Sequence, residues 1–245
     1  MDFSTKDKAV VFDTESHSYT VNGTRLGLSV SGVVKAYWPE FNAASVAKRC
    51  GRTARIKWTG NPDATDAELV EAWDQNGKEA SEKGTRIHYL IETYFLNPAQ
   101  GSDLCPVVRR WLKRRFSAKG WRFWPEKIVY GTPNGALCVI PGTIDLLARD
   151  GDGQWWIFDW KRGEVDPDSK KGDIDEITGV RGTKYVKYST QLALYAQILA
   201  SDYDIIVPLE RCRLVRTHEE MEPIEYAIFR GADGLASLAA ALAPV

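Results

Sequence analysis

The sequence predicts one α/β domain with an N-terminal elaboration, within a chain of 245 residues. Three observations lead there. The run "QWWIFDWK" (residues 154–161) is apolar on both alternating faces until its end, as a central strand covered on both sides would be. The run "YSTQLALYAQILA" (188–200) carries the apolar spacing of an amphipathic helix. Strand and helix signals alternate without a convincing linker, internal repeat or low-complexity tract.

Taken in order, the first ~30 residues read as short strands, with a hairpin turn at Asn22-Gly23. Ser29 or Ser31 can cap a helix through "GVVKAYW", and "NAASVAKRC" reads as another helix. A charged helical stretch runs from about Asp66 into "GTRIHYLIETYF", and "LCPVVRRWLKRRF" is an amphipathic helix. Strands follow at "EKIVYG", "ALCVIPGTIDLLAR" and "QWWIFDWK", then a polar Gly- and Asp-rich segment to Thr183. After the helix at 188–200, "RCRLVRTH" and "IEYAIF" read as strands and "LASLAAAL" as a closing helix.

Composition narrows the class. Hydrophobic residues are 44% and charged residues 27%, ordinary for a globular protein, and no apolar run has the length of a membrane span. The opening "MDFSTKDKAV" lacks the marks of a signal or transit peptide, so a cytoplasmic protein is expected, compatible with a phage or bacterial source. Cys50, Cys105, Cys138 and Cys212 are scattered, which argues against a disulfide framework or zinc knuckle. A net charge of -1 leaves room only for a local basic groove.

The end of the apolar strand carries the chemistry. Its neighbour is "GTIDLLAR", joined by "DGDGQ", whose Gly151 and Gly153 suit a tight turn. A hairpin centred on Asp152 pairs Arg149 with Trp155 and sets Asp145 opposite Asp159. Directly opposed Cβ atoms lie roughly 5 Å apart, and two ionised carboxylates at that distance repel by roughly 3 kcal/mol at an effective dielectric of 20. Either a proton is shared or a cation sits between them, and hard oxygen ligands suit Mg²⁺ or Mn²⁺. Lys161, on the same face as Asp159, then stands beside the metal, where it can orient a water or stabilise charge on a phosphate. The plainer alternative is a hairpin end with solvated acids and a surface ion pair. Losing either acid should relieve the repulsion and leave metal-free stability equal or higher.

His88 and Glu92 share a helical face, as do Gln191 and Tyr195, and Glu126 in "WPEKIVYG" precedes the hairpin. Taken together, His88 in "GTRIH", Glu126, Asp145 in "GTID", Asp159 and Lys161 in "DWK", and Gln191 and Tyr195 in "QLALY" resemble the RecB-like exonuclease branch of the PD-(D/E)XK nuclease superfamily. The resemblance covers roughly residues 84–200. The chain departs from it at Ile144, where the superfamily's Pro-Asp has its proline, and in the long polar insert after Lys161. It implies a small mixed β-sheet flanked by helices, a restriction-endonuclease-like core, with an N-terminal helical and hairpin elaboration over residues 1–80 and further strands and a helix in 201–245, all one nuclease domain. It also implies that Asp145 and Asp159 bind the metal with the Trp160 carbonyl and His88. Glu126 acts on the metal or the attacking water, and Lys161 orients the nucleophile or offsets charge. Gln191 and Tyr195 brace the site or touch the DNA backbone.

Two basic clusters are compatible with DNA. "RRWLKRRF" holds Arg109, Arg110, Lys113, Arg114 and Arg115, though it also fits a solvated face around a buried tryptophan. Arg181, Lys184 and Lys187 adjoin the expected site more closely. No P-loop is present, and the cysteines lack the C-terminal cluster of iron–sulfur relatives. The expected function is a Mg²⁺-dependent (or Mn²⁺-dependent) DNA exonuclease serving recombination, repair or genome processing, with recombination or replication proteins as partners and no membrane. The alternatives are a structure-specific endonuclease of the same fold and a catalytically silent protein that binds DNA ends.

Overall fold

A computed structural model of the chain describes residues 3–16, 18–38, 41–97 and 103–243. It divides into two compact units, one formed by Met1–Pro39 with Leu90–Val245 and the other by Glu40–Tyr89.

The larger unit begins with helix α1 (Ser4–Ala9), where short strands were expected. Strands β1 (Val10–Asp13), β2 (Ser18–Val21) and β3 (Thr24–Arg25) then form an antiparallel sheet. Its second turn is the expected one: Asn22 and Gly23 both take positive φ, 49° and 80°, as a tight hairpin turn requires. Helix α2 (Val30–Tyr37) starts at Ser29, whose hydroxyl accepts the Gly32 N–H.

In the smaller unit, α3 (Ala43–Ala47) and α4 (Arg52–Thr59) lead into α5 (Asp66–Leu96), a helix that continues into the larger unit. The α4 helix had no counterpart in the sequence reading. Thr65 and Glu68 form a reciprocal capping box at the start of α5, with Thr65 N–H to Glu68 Oε2 at 2.6 Å and Glu68 N–H to Thr65 Oγ1 at 3.2 Å. Arg55 ties the helices of this unit together by donating to the Ala47 carbonyl at 3.2 Å and to Asp66 Oδ1 at 2.6 Å.

The core of the larger unit is a mixed sheet of five strands: β4 (Arg122–Gly131), β5 (Ile140–Arg149), β6 (Trp155–Lys161), β7 (Cys212–Arg216) and β8 (Ile224–Ala227). The spatial order is the sequence order, and only β6 and β7 run parallel. Strand β6 is therefore central. Residues Trp156, Phe158 and Trp160 line one face, beneath helix α6 (Pro106–Arg115): Trp111 meets Trp160 edge-on at 6.5 Å, and Phe116 meets Phe158 at 5.3 Å. On the other face lie α2, α7 (Lys184–Tyr203) and α8 (Ala232–Ala241), sharing one core with Ile157 and Leu214. Leu192, Ile198 and Leu199 of α7 are wholly buried there, and truncating any one to alanine should cost about 2–5 kcal/mol.

The polar segment 164–183 is not featureless. Ile174 and Arg181 form a β-bridge, and the Tyr37 hydroxyl donates to Asp175 at 2.9 Å, tying the segment to α2.

Candidate active site

The β5–β6 hairpin has the expected register, with Arg149 opposite Trp155 and regular pairing through Leu146 and Phe158. Asp145 and Asp159 occupy the next position, where the ladder stops. There the Trp160 N–H turns to the Asp145 carboxylate instead, at 2.8 Å. Asp159 is only 2% exposed, and its two oxygens lie 2.9 and 2.7 Å from the Lys161 ammonium. The two acids thus have different supports: a backbone donor for Asp145 and a cation for Asp159. Burial pulls the Lys161 pKa down, but the Asp159 and Asp145 charges outweigh it and hold the ammonium above its ordinary range.

Glu126 joins them from β4. Pro125 pairs with Leu146 and Lys127 with Ile144, so Glu126 faces Asp145, yet this one position is missing from the ladder. Its backbone is left-handed, with φ 45°, a conformation that costs a non-glycine residue about 1–2 kcal/mol. Glu126 and Asp145 each bring a carboxylate oxygen within 4.8 Å of the other. Burial, followed by the charges of Asp145, Glu92 and Asp159, pushes the Glu126 pKa from 4.5 up to about 8. At neutral pH and without a cation, this site therefore holds a proton on Glu126.

Helix α7 supports the lysine from above. Thr183 caps it by accepting the Val186 N–H at 3.2 Å, which sets Tyr188, Gln191 and Tyr195 on the face towards the sheet. The Tyr188 ring lies 4.6 Å from the Lys161 ammonium, a cation–π contact. Tyr195 is 3% exposed, and its hydroxyl meets Gln191 Nε2 at 3.5 Å. Gly142 of β5 makes room for that ring, since a Cβ there would stand 2.7 Å from Tyr195 Cε1. The Tyr195 ring is thus packed between α7 and β5.

The basic residues are distributed unevenly. Arg181 donates to the Gly172 carbonyl at 2.6 Å, Lys187 is half-buried beside the Trp38 ring at 5.8 Å, and Lys184 is exposed. On α6, Trp111 is buried, Arg114 pairs with Glu222, and Arg115 pairs with Glu225 at 2.8 Å. These partners take up two of the five basic residues on that helix. His88 lies one turn before Glu92 on the continuous α5 helix. Glu92 and Tyr188 were not expected at the site. The signals for them were the i, i+4 spacing of His88 and Glu92, and the i, i+3 spacing of Tyr188 and Gln191.

A family model for the PD-(D/E)XK nuclease superfamily matches residues 46–224. The chain belongs to this superfamily. Its mixed sheet with flanking helices is the restriction-endonuclease-like fold of PD-(D/E)XK nucleases, which are hydrolytic and depend on a divalent metal. Among solved structures, SSO0001 is similar at 13% identity, with 86% of this chain and 81% of that one covered and a TM-score of 0.38. A Eubacterium rectale protein provisionally named an exonuclease is similar at 13% identity, with 90% and 67% covered and a TM-score of 0.34. No curated protein matches the chain. The donor set fits the superfamily's metal: hard carboxylate oxygens crowd together, and a proton sits where a cation would relieve the repulsion. Among the described residues, no helix is long and apolar enough to cross a membrane.

Proposed function

We propose that this nuclease is a Mg²⁺- or Mn²⁺-dependent DNA exonuclease of the RecB-like branch, working in recombination, repair or genome processing. The observation that carries the reading is the gathering of Glu126, Asp145 and Asp159 around the end of one hairpin, with Lys161 seated on Asp159. Asp145 and Glu126 would hold the metal, with Asp159 and the Trp160 carbonyl as further ligands. A divalent ion held there would activate a water for attack and offset charge on the phosphate. Lys161, fixed by Asp159 and the Tyr188 ring, points its ammonium at the phosphate or the attacking water. Trp160 N–H orients Asp145, and Tyr195 and Gln191 hold the α7 face against β5. Lys184, with Lys187 and Arg181, contacts the backbone of the strand. A silent fold is disfavoured, because opposed acids with a buried lysine contribute nothing to stability that an apolar set would not.

The exonuclease reading draws on the branch resemblance and on the segment 164–183, which has internal structure and a tie to α2. Material of this kind can cover a groove and make it a passage that loads only from an end. Linear DNA and covalently closed single- and double-stranded circles of the same sequence should be compared under identical Mg²⁺ and salt. Linear DNA should be degraded while the circles persist. Circles cut at a comparable rate would establish the structure-specific endonuclease instead.

A further inference from the structure

Arg216 ends β7, next to the catalytic strand. It is the ladder partner of Lys161, and the following Thr217 N–H donates to the Lys161 carbonyl at 2.8 Å. Paired residues on adjacent strands point to the same face, about 4.8 Å apart. The parity is confirmed at two neighbours. Leu214 joins the core on the α7 side, whereas Arg213 turns to the opposite face, against Trp156 at 5.5 Å. Arg216 therefore shares the face of Asp159 and Lys161.

Its electrostatic situation differs from that of its neighbours. Arg162 pairs with Glu219 at 3.2 Å, Arg211 with Asp150 at 3.6 Å, and Arg213 with Glu225 at 2.8 Å. Arg216 has no carboxylate partner among the described residues, and its Nε is buried without a hydrogen bond. A half-buried guanidinium whose Nε meets no acceptor is costly unless one arrives, and the neighbouring Lys161 ammonium is already taken up by Asp159. The planar fork suits a phosphodiester, which accepts two parallel hydrogen bonds. We infer that Arg216 forms a phosphate-binding subsite beside Lys161, holding a backbone phosphate next to the one being cleaved. This rests on the DNA nuclease reading above.

The test is binding of a labelled oligonucleotide in EDTA across a salt series, with thermal melting of the same proteins. Arg216→Met should weaken binding about ten-fold and lower the slope of log affinity against log salt by about one. Its melting temperature should stay level or rise, since an unpaired cation has been removed. Arg216→Lys should restore the slope but not the full affinity, because the fork is lost. Unchanged affinity and slope in Arg216→Met would overturn the subsite while leaving the nuclease reading intact. A lower melting temperature in both variants, with the slope unchanged, would make Arg216 a structural cation and overturn it too. A wild-type protein that neither binds nor cuts DNA would remove both readings together.

Discussion

At the turn end of the β5–β6 hairpin, Arg149 lies beside the Trp155 ring at 5.6 Å, and Asp150 takes the Trp156 indole N–H at 2.8 Å. Nearby, Arg115 and Arg213 share Glu225, each at 2.8 Å. At the open end, some four residues further along the same two strands, the charges of Asp145, Asp159 and Glu92 bear on Glu126, and Lys161 is bound to Asp159. At one end both acids are held by arginines, Asp150 by Arg211 at 3.6 Å and Glu225 by two, and the other end is acid-rich. Both are built on the same backbone, so the imbalance is a property of the residues chosen. A fold that needed only stability would have treated both ends like the first. The acid-rich end keeps a place for a cation that the chain itself does not supply.

The contrast breaks most visibly if one acid is removed. Asp145→Asn should lower Mg²⁺-dependent cleavage by about 10³-fold or more, measured in single turnover. Its melting temperature in EDTA should be level or higher, because the amide oxygen can still accept the Trp160 N–H while Glu126 loses a repelling neighbour. An active variant with reduced metal-free stability would abolish the distinction between the two ends.

Lys161→Met should cut turnover by roughly 10²-fold while DNA affinity stays within about a factor of two. It should also destabilise the protein by about 3 kcal/mol, because Asp159 is left buried without its cation. Asp159→Asn should lose stability for the converse reason, with Lys161 left without its counter-charge. The sequence-based expectation that losing either acid relieves repulsion therefore suits Asp145 and not Asp159. Urea denaturation of both variants in EDTA checks the point, and full stability in Lys161→Met would remove the ion pair from the account.

A gentler probe is pH. Glu126 titrates near 4.5 when unfolded and near 8 in the metal-free fold, so the native state binds more protons between those values. Its contribution is fully present below about pH 4.5 and is lost as pH rises through about 8. In EDTA, wild-type stability should carry this decline and Glu126→Gln should not. Parallel pH profiles for the two proteins would contradict the raised pKa. The smallest effect belongs to Arg114→Ala, whose exposed pair with Glu222 contributes about 0–1 kcal/mol and should leave DNA affinity within a factor of two.

Local relationships were readable from the chain. The Gly-rich turn at 151–153 determined the register that sets Asp145 level with Asp159, and the two-sided apolar pattern placed β6 in the middle of the sheet. The Asn22-Gly23 turn and the Ser29 cap were similarly visible, because each is fixed by residues within a few positions. What escaped depends on long-range approach. Nothing near Glu126 announces a left-handed backbone, and Glu92 and Tyr188 acquire meaning only when α5 and α7 meet the sheet. The partners of Arg114 and Arg115 on α6 escaped for a related reason: Glu222 and Glu225 lie more than a hundred residues further on. Helices α1 and α4 lack a strong apolar stripe and so gave little signal.

The left-handed backbone of Glu126 has a bearing on how this protein would respond to laboratory evolution. Glycine accepts that conformation without the about 1–2 kcal/mol that a side chain costs there, and it would also bring no carboxyl group into the crowd. Under selection for heat resistance alone, Glu126→Gly should be among the first gains, and it should arrive with cleavage lost. Screens for a hardier enzyme therefore need an activity gate at every round, because at this position durability and chemistry pull in opposite directions.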